Sequence, residues 1–211
     1  MAVHIVGGVW VAWAHDVPLL EALVFGRSPR TRTLLGGQVR VLLDRGETWR
    51  LATSVMLHAD GLHLIVNAFG LVGLGRLLEP WVGAGRLLGW FALGGLGGSL
   101  ASMAVAMPRS DGASGGAFAL LGAAAVLGWR HRAELIPEDQ RLYGPVIWGF
   151  VVLNLVLSVA LPFVDLSAHA GGLVVGVALA ALPRFRQEDA WLALVFGCFL
   201  GVCAFGWSLT P

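Results

Sequence analysis

Four polar residues with the chemistry for acyl transfer lie within otherwise apolar stretches of this chain. Ser114 lies in the run GASGG and His169 in AHAGG, while His63 and Asn67 lie in HLIVN. A serine hydroxyl attacks a carbonyl when a base, most often a neutral imidazole, removes its proton. Because a hydroxyl or imidazole inside a hydrophobic segment is costly without a partner, the pattern favours Ser114 as nucleophile and His169 as base.

An oxyanion formed at Ser114 has candidate hydrogen-bond donors on two sides. Gly112 and Gly115 flank the serine, where absent side chains let backbone and substrate approach. Ser114 also begins a predicted helix whose free N–H groups point at an anion formed there. His63 and Asn67 are spaced i, i+4 and therefore project from one helical face, from which both side chains can donate.

The composition of the chain indicates the class of protein in which these polar residues lie. The chain has 211 residues, 57% of them hydrophobic and 13% charged, against roughly 25% charged in an average soluble domain. Its mean hydropathy of +0.77 predicts an integral membrane protein, and 30 glycines suit close helix packing in lipid. Because the net charge is +1 and no basic face is concentrated, we expect no nucleic-acid partner.

The distribution of apolar residues predicts an all-α polytopic bundle. Six stretches are long enough to cross a bilayer, at Leu62–Leu78, Leu87–Ala106, Ser114–Trp129, Val146–Leu161, Leu166–Leu182 and Trp191–Leu209. A further crossing, counted as the first, is expected at about 3–25, where polar residues and a proline interrupt the apolar run. Seven Arg on each side of the membrane leave the orientation open by charge alone.

The longest polar stretch, about 26–53, lies between the first two crossings. It contains six of the fourteen Arg and also Trp49, a residue typical of membrane interfaces. Loops longer than about 12–15 residues in compact domains are usually functional or disordered. We therefore expect a loop that lies partly among the lipid headgroups.

Ser114, His169 and His63 are predicted to lie at one depth in the membrane. Each lies 15 or 16 residues before a charged residue that ends its helix on the same membrane side. At 1.5 Å per residue all three lie ~22–24 Å above that side, in a hydrocarbon core ~30 Å thick. Water reaches this depth only through a cavity in the protein, so the sequence predicts a sunken polar site.

The order and spacing of these motifs resemble the rhomboid family of intramembrane serine proteases. His63 and Asn67, then Ser114, then His169 occur in the second, fourth and sixth crossings, and the resemblance extends to Trp49-Arg50 in the long loop. It covers about residues 46–182. The resemblance implies one membrane-embedded domain over 1–211, with six core helices and an extra C-terminal transmembrane helix at 190–209.

The resemblance also implies roles for these residues. Ser114 and His169 would form a catalytic dyad, while His63, Asn67 and the backbone at Gly112 and Ser114 would hold the oxyanion. Phe118, four residues after the serine, would pack against the His169 ring. Such an enzyme is a serine endopeptidase that cleaves transmembrane segments of other membrane proteins, and it needs no metal or cofactor.

Small residues are expected to bring the two helices of the dyad together. Gly172 and Gly176 form a GxxxG pair, which reads as a packing seam. If it faces Gly115 and Ala119, close backbone contact would bring the serine and the histidine within hydrogen-bond reach. The resemblance further implies a prokaryotic inner or plasma membrane, with the site opening to the extracytoplasmic side.

Simpler interpretations stay open for each residue. Ser114 alone is typical of a helix N-cap, Asn67 of a hydrogen bond between helices, and Arg50 of a loop tether. Asp165, one turn before His169, is a minor candidate for orienting its ring. A non-catalytic rhomboid-like binder of membrane helices and a small transporter lined by polar side chains are the alternative functions.

Overall fold

Helices make up most of the chain in the computed structural model, which describes residues 9, 12–14, 16–20, 28–161, 164–182 and 189–209. The crossing expected at about 3–25 therefore falls largely outside the described residues. The six later crossings each correspond to helix, so the predicted all-α class is confirmed.

The second and third crossings form one continuous helical stretch, Gly61–Ala104, which is broken at Gly83. At 1.5 Å per residue its 44 residues would extend about 66 Å, twice the thickness of a hydrocarbon core. Gly83 has φ 77° and ψ 159°, a positive φ that glycine tolerates and that divides the stretch into two helices. The two crossings, together named α4, are thus joined directly at the break at Gly83.

Four further long helices lie in the part of the chain that the structure describes. They are α5 (Ser114–Arg130), α7 (Ile147–Ala160), α8 (Leu166–Ala181) and α9 (Asp189–Ser208), with the short α6 (Pro137–Arg141) and a π turn at Leu142–Val146 ahead of α7. Large apolar side chains on the outer faces are exposed, among them Phe69 on α4 at 82% and Val159 on α7 at 72%. Rows of exposed apolar side chains on helices are unfavourable in water and suit contact with lipid.

The long polar stretch is more ordered than a loop. It contains α1 (Pro29–Leu34), strand β1 (Gln38–Val39), α2 (Arg40–Leu43) and α3 (Arg50–Thr53), and a 3₁₀ turn at Ser54–Met56 follows it. Strand β1 pairs antiparallel with β2 (Arg109–Ser110), so this segment is hydrogen-bonded to the chain just ahead of α5. Helix α9 holds it from the other side, since Trp207 Nε1 donates to the Leu35 carbonyl over 2.7 Å.

Candidate active site

Ser114 is the first residue of α5 and lies beside the His63 ring. The N-cap residue of the helix, Ala113, has no side-chain acceptor, so the first N–H groups of α5 have no side-chain cap. Gly112 has φ +148° and leaves open the space between the two side chains. A Cβ at Gly112 would lie 3.1 Å from His63 Nε2 and 3.6 Å from Ser114 Oγ.

Gly112 leaves open space beside Ser114, and its N–H has an acceptor within the protein. Its own N–H donates to the Ser54 carbonyl over 3.0 Å, so it is already used. The role of Gly112 in an oxyanion hole stays a prediction, and its N–H would have to leave the Ser54 carbonyl to serve it. The N–H groups that face the site are those at the start of α5.

The His63 ring is held in one tautomer by its own turn. The backbone N–H of Ala59 donates to His63 Nδ1 over 3.4 Å, so Nδ1 carries the lone pair and Nε2 the proton. Asp60 caps this end of α4, since its carboxylate accepts from the His63 N–H over 2.7 Å. His58 lies edge-on to the ring at 5.0 Å. His63 therefore presents an N–H donor toward Gly112 and Ser114.

Asn67 lies one turn below His63 and is buried. Its side-chain amide donates to the His63 carbonyl over 2.9 Å, a bond within its own helix. One of the two amide protons is thus engaged by the backbone, and the second is the one that can serve an oxyanion. Of the two predicted side-chain donors, His63 is the one whose donor atom borders Gly112.

His169 lies in the first turn of α8 with its ring fixed on two sides. Phe118 of α5 stacks on the ring with centroids 4.2 Å apart and planes 16° from parallel. Ser158 of α7 lies at the ring edge, with its Oγ 2.7 Å from Nδ1. His169 is 8% exposed, and its ring is held by contacts from α5 and α7 in addition to its own helix α8.

Helices α5 and α8 are in backbone contact next to the two candidate residues. A Cβ at Gly115, which follows Ser114, would lie 3.4 Å from the carbonyl oxygen of Ala168, which precedes His169. Between the two described residues themselves, Ser114 Oγ and the His169 ring, the structure contains no hydrogen bond. Catalytic hydrogen bonds are often long before substrate binds, so the lack of a hydrogen bond between them is compatible with a dyad.

A glycine seam, formed by Gly115, Ala119, Gly172 and Gly176, joins α5 to α8. A Cβ at Gly172 would overlap the Gly115 carbonyl oxygen, and one at Gly176 would overlap that of Ala119. Helix α4 also packs closely on α8, because a Cβ at Gly98 would lie 2.6 Å from the Ala168 carbonyl oxygen. The seam sets the separation of the helices that begin with Ser114 and carry His169.

Asp165 caps α8 and does not orient the His169 ring. One carboxylate oxygen, Oδ1, accepts from the N–H of Ala168 over 3.1 Å and from the Ser167 hydroxyl. The hydrogen-bond partner of the His169 ring is Ser158. Ser158 carried no sequence signal of its own, because a lone hydroxyl in an apolar helix usually bonds its own backbone.

An ion pair that the sequence did not reveal ties the long polar segment to the serine. Arg32 donates to Asp111 over 3.2 Å, and the Gln38 N–H donates to the other carboxylate oxygen over 3.1 Å. The Asp111 side chain is 1% exposed. Burial raises the pKa of this carboxyl above its ordinary value, and the nearby charges of Arg32 and Arg109 oppose that shift.

Trp49 and Arg50 stabilise the same segment from within. The Arg50 guanidinium stacks over the Trp49 ring at 4.4 Å and donates to Glu47 and to the carbonyls of Thr33 and Gly37. Because its donors are engaged inside the segment and the residue is 4% exposed, Arg50 acts as a tether. Neither residue contacts Ser114 or His169 through the interactions described.

The fold and the order of these residues agree with the comparison of the sequence with known families. The model of the Rhomboid domain matches residues 45–186, which is about two thirds of the chain. The chain belongs to the rhomboid family, whose members are helical bundles embedded in membranes.

Individual relatives cover most of this chain. Rhomboid protease GluP of Bacillus subtilis (strain 168) is 35% identical over 175 residues, 82% of this chain and 33% of GluP. RHOMBOID-like protein 5 of Arabidopsis thaliana is 36% identical, covering 83% of this chain and 57% of the relative. Inactive RHOMBOID-like protein 8 of the same plant is 28% identical over 163 residues. The chain thus spans between a third and three fifths of the length of the first two relatives.

Proposed function

We propose that this chain is an intramembrane serine endopeptidase that cleaves transmembrane segments of other membrane proteins. Ser114 is the nucleophile, and His169 is the general base and then the general acid. The observation that carries the proposal is the close packing of α5 on α8 beside these two residues, where a Cβ at Gly172 would overlap the carbonyl oxygen of Gly115. Family membership and a relative named as a protease support the same activity.

The reaction follows from the chemistry of these groups. Ser114 Oγ attacks the scissile carbonyl carbon while His169 takes the hydroxyl proton. The carbonyl oxygen becomes an oxyanion that accepts from the first N–H groups of α5 and from His63 Nε2, with the second Asn67 amide proton in reach as a further donor. His169 then protonates the leaving amine. In the second half of the reaction His169 takes a proton from water, which attacks the acyl-serine ester, and then returns a proton to Ser114 Oγ.

The substrate is a membrane-spanning helix that unwinds locally at the cut. A regular helix hides its carbonyls in i→i−4 hydrogen bonds, so residues of low helix propensity, such as Gly, Ser or Pro, favour cleavage nearby. The whole chain, 1–211, acts as one membrane domain. We place it in a prokaryotic inner or plasma membrane with the site open to the extracytoplasmic side.

An activity-based label tests the nucleophile directly. A fluorophosphonate reacts with activated serines, so purified wild-type protein in detergent should be labelled, and Ser114→Ala and His169→Ala should not. Ser208→Ala is a matched control, since this exposed serine lies at the far end of α9 and should leave labelling unchanged. Equal labelling of wild type and Ser114→Ala would remove the proposal.

A non-catalytic binder of membrane helices is the second candidate. Two observations favour it: Ser114 and His169, both described, share no hydrogen bond, and one relative is named as inactive. This candidate predicts that a transmembrane peptide binds wild type and Ser114→Ala equally, with no cleavage and no fluorophosphonate labelling of either. Cleavage that is lost in Ser114→Ala would exclude it.

A further inference from the structure

The inner face of α7 carries a buried hydroxyl at the edge of the His169 ring. Ser158 is 5% exposed, although large apolar residues on the outer face of the same helix, such as Val156 and Val159, are 57% and 72% exposed. Its Oγ lies 2.7 Å from His169 Nδ1 and 2.6 Å from the carbonyl oxygen of Asn154. The hydroxyl is therefore engaged on both sides.

The direction of the two hydrogen bonds follows from the number of protons available. A carbonyl oxygen only accepts, so the single Ser158 hydroxyl proton is donated to Asn154. The Ser158 oxygen must then accept from His169, which requires the ring proton to be on Nδ1. The lone pair of the neutral ring is consequently on Nε2, the nitrogen that remains free to accept a proton.

The ring orientation is fixed by the same contacts. Stacking on Phe118 defines the plane of the ring, and the bond to Ser158 selects which edge turns toward α7. His63 provides the opposite case, because its Nδ1 accepts from Ala59 and its Nε2 carries the proton. The two histidines are thus held in opposite tautomers, one suited to accept a proton and one to donate a hydrogen bond.

We infer that Ser158 is a positioning residue for His169: its hydroxyl holds the ring in the tautomer and orientation that a general base needs. In a Ser-His-Asp triad a carboxylate has this task, whereas Asp165 is engaged by Ser167 and Ala168. The inference rests on the proposed protease function. It also joins the base to α7, so the geometry of the site depends on where that helix packs.

Two variants at position 158 that have the same shape distinguish the effect of the hydroxyl from the effect of packing. Ser158→Thr keeps a hydroxyl that can accept from Nδ1 and donate to the Asn154 carbonyl, while Ser158→Val has the same shape without it. Cleavage of a single-pass substrate in liposomes gives kcat and KM, and thermal unfolding in detergent reports stability. For Ser158→Val we expect kcat roughly tenfold or more below that of Ser158→Thr, with similar KM and unfolding midpoints.

The outcomes distinguish this inference from the proposed function. If wild type is labelled by fluorophosphonate, Ser114→Ala and His169→Ala are not, and both Ser158 variants cleave with equal kcat, the positioning role is overturned and the protease stands. Equal losses in both variants would indicate packing alone and overturn it as well. If wild type is labelled no more than Ser114→Ala, the protease proposal fails and the role of Ser158 fails with it.

Discussion

Gly176 of α8 and Ala119 of α5 are in direct backbone contact within the membrane. A Cβ at Gly176 would overlap the Ala119 carbonyl oxygen, so even a methyl group cannot be added without moving a helix. Lipid removes the hydrophobic drive between helices, and association then depends on such close approach of small residues. This contact sets the distance between the helix that begins with Ser114 and the helix that carries His169.

The contact predicts that Gly176→Ala separates α5 from α8. Overpacking of a close contact costs about 1–3 kcal/mol, and the displaced His169 should also slow fluorophosphonate labelling of Ser114. Thermal unfolding in detergent and the labelling rate measure the two effects. Gly149→Ala on α7 is the control, because a Cβ there meets nothing within 4 Å. Similar midpoints for both variants would contradict the role of the seam.

Much of this arrangement is predictable from sequence because membrane helices have little freedom. Apolar length defines the crossings, and polar residues within them are rare enough that Ser114, His63 and His169 stand out. The glycine pair at Gly172 and Gly176 likewise predicts a face of close contact. Local pattern was therefore sufficient for the helical class, and the roles of the residues proposed to react stay predictions.

Contacts that depend on helix rotation or on long-range pairing were not predictable. Ser158 precedes His169 by 11 residues, and nothing local fixes which face of α7 turns toward the histidine. Arg32 and Asp111 are 79 residues apart and meet only because β1 and β2 pair. The break at Gly83 was not predicted because the polar residues on both sides of it are equally compatible with a longer connection.

Gly112→Ala should block the space between His63 and Ser114. A Cβ there would lie 2.9 Å from His63 Cε1 and would also strain a backbone with φ +148°, at a cost of about 1–3 kcal/mol. We expect a large loss of kcat for substrate cleavage. Gly46→Ala controls for the strain, since Gly46 has φ +94° and open space around it. Equal activity in the two variants would show that the space is not used.

His63→Phe removes the proposed oxyanion donor and keeps an aromatic ring beside His58. Loss of one such donor lowers kcat by about 10²–10³ in a well-studied serine protease, so we expect a fall of that order with the unfolding midpoint retained. Asn67→Ala should cost less, because one of its amide protons is bound to the His63 carbonyl. A larger kcat loss in Asn67→Ala than in His63→Phe would reverse the assignment of the principal donor.

Asp111→Ala should release the long polar segment from the residues just ahead of Ser114. The change leaves the Arg32 guanidinium and the Gln38 N–H without their acceptor in a buried site, a loss of about 1–3 kcal/mol. Limited proteolysis within residues 28–50 and the labelling rate of Ser114 report the two consequences.

Asp44→Ala is the matched control, because its ion pair with Arg40 joins neighbouring turns and its side chain is 57% exposed. Exposed pairs contribute about 0–1 kcal/mol, so this variant should resist protease like wild type, and equal sensitivity of the two would refute the tether.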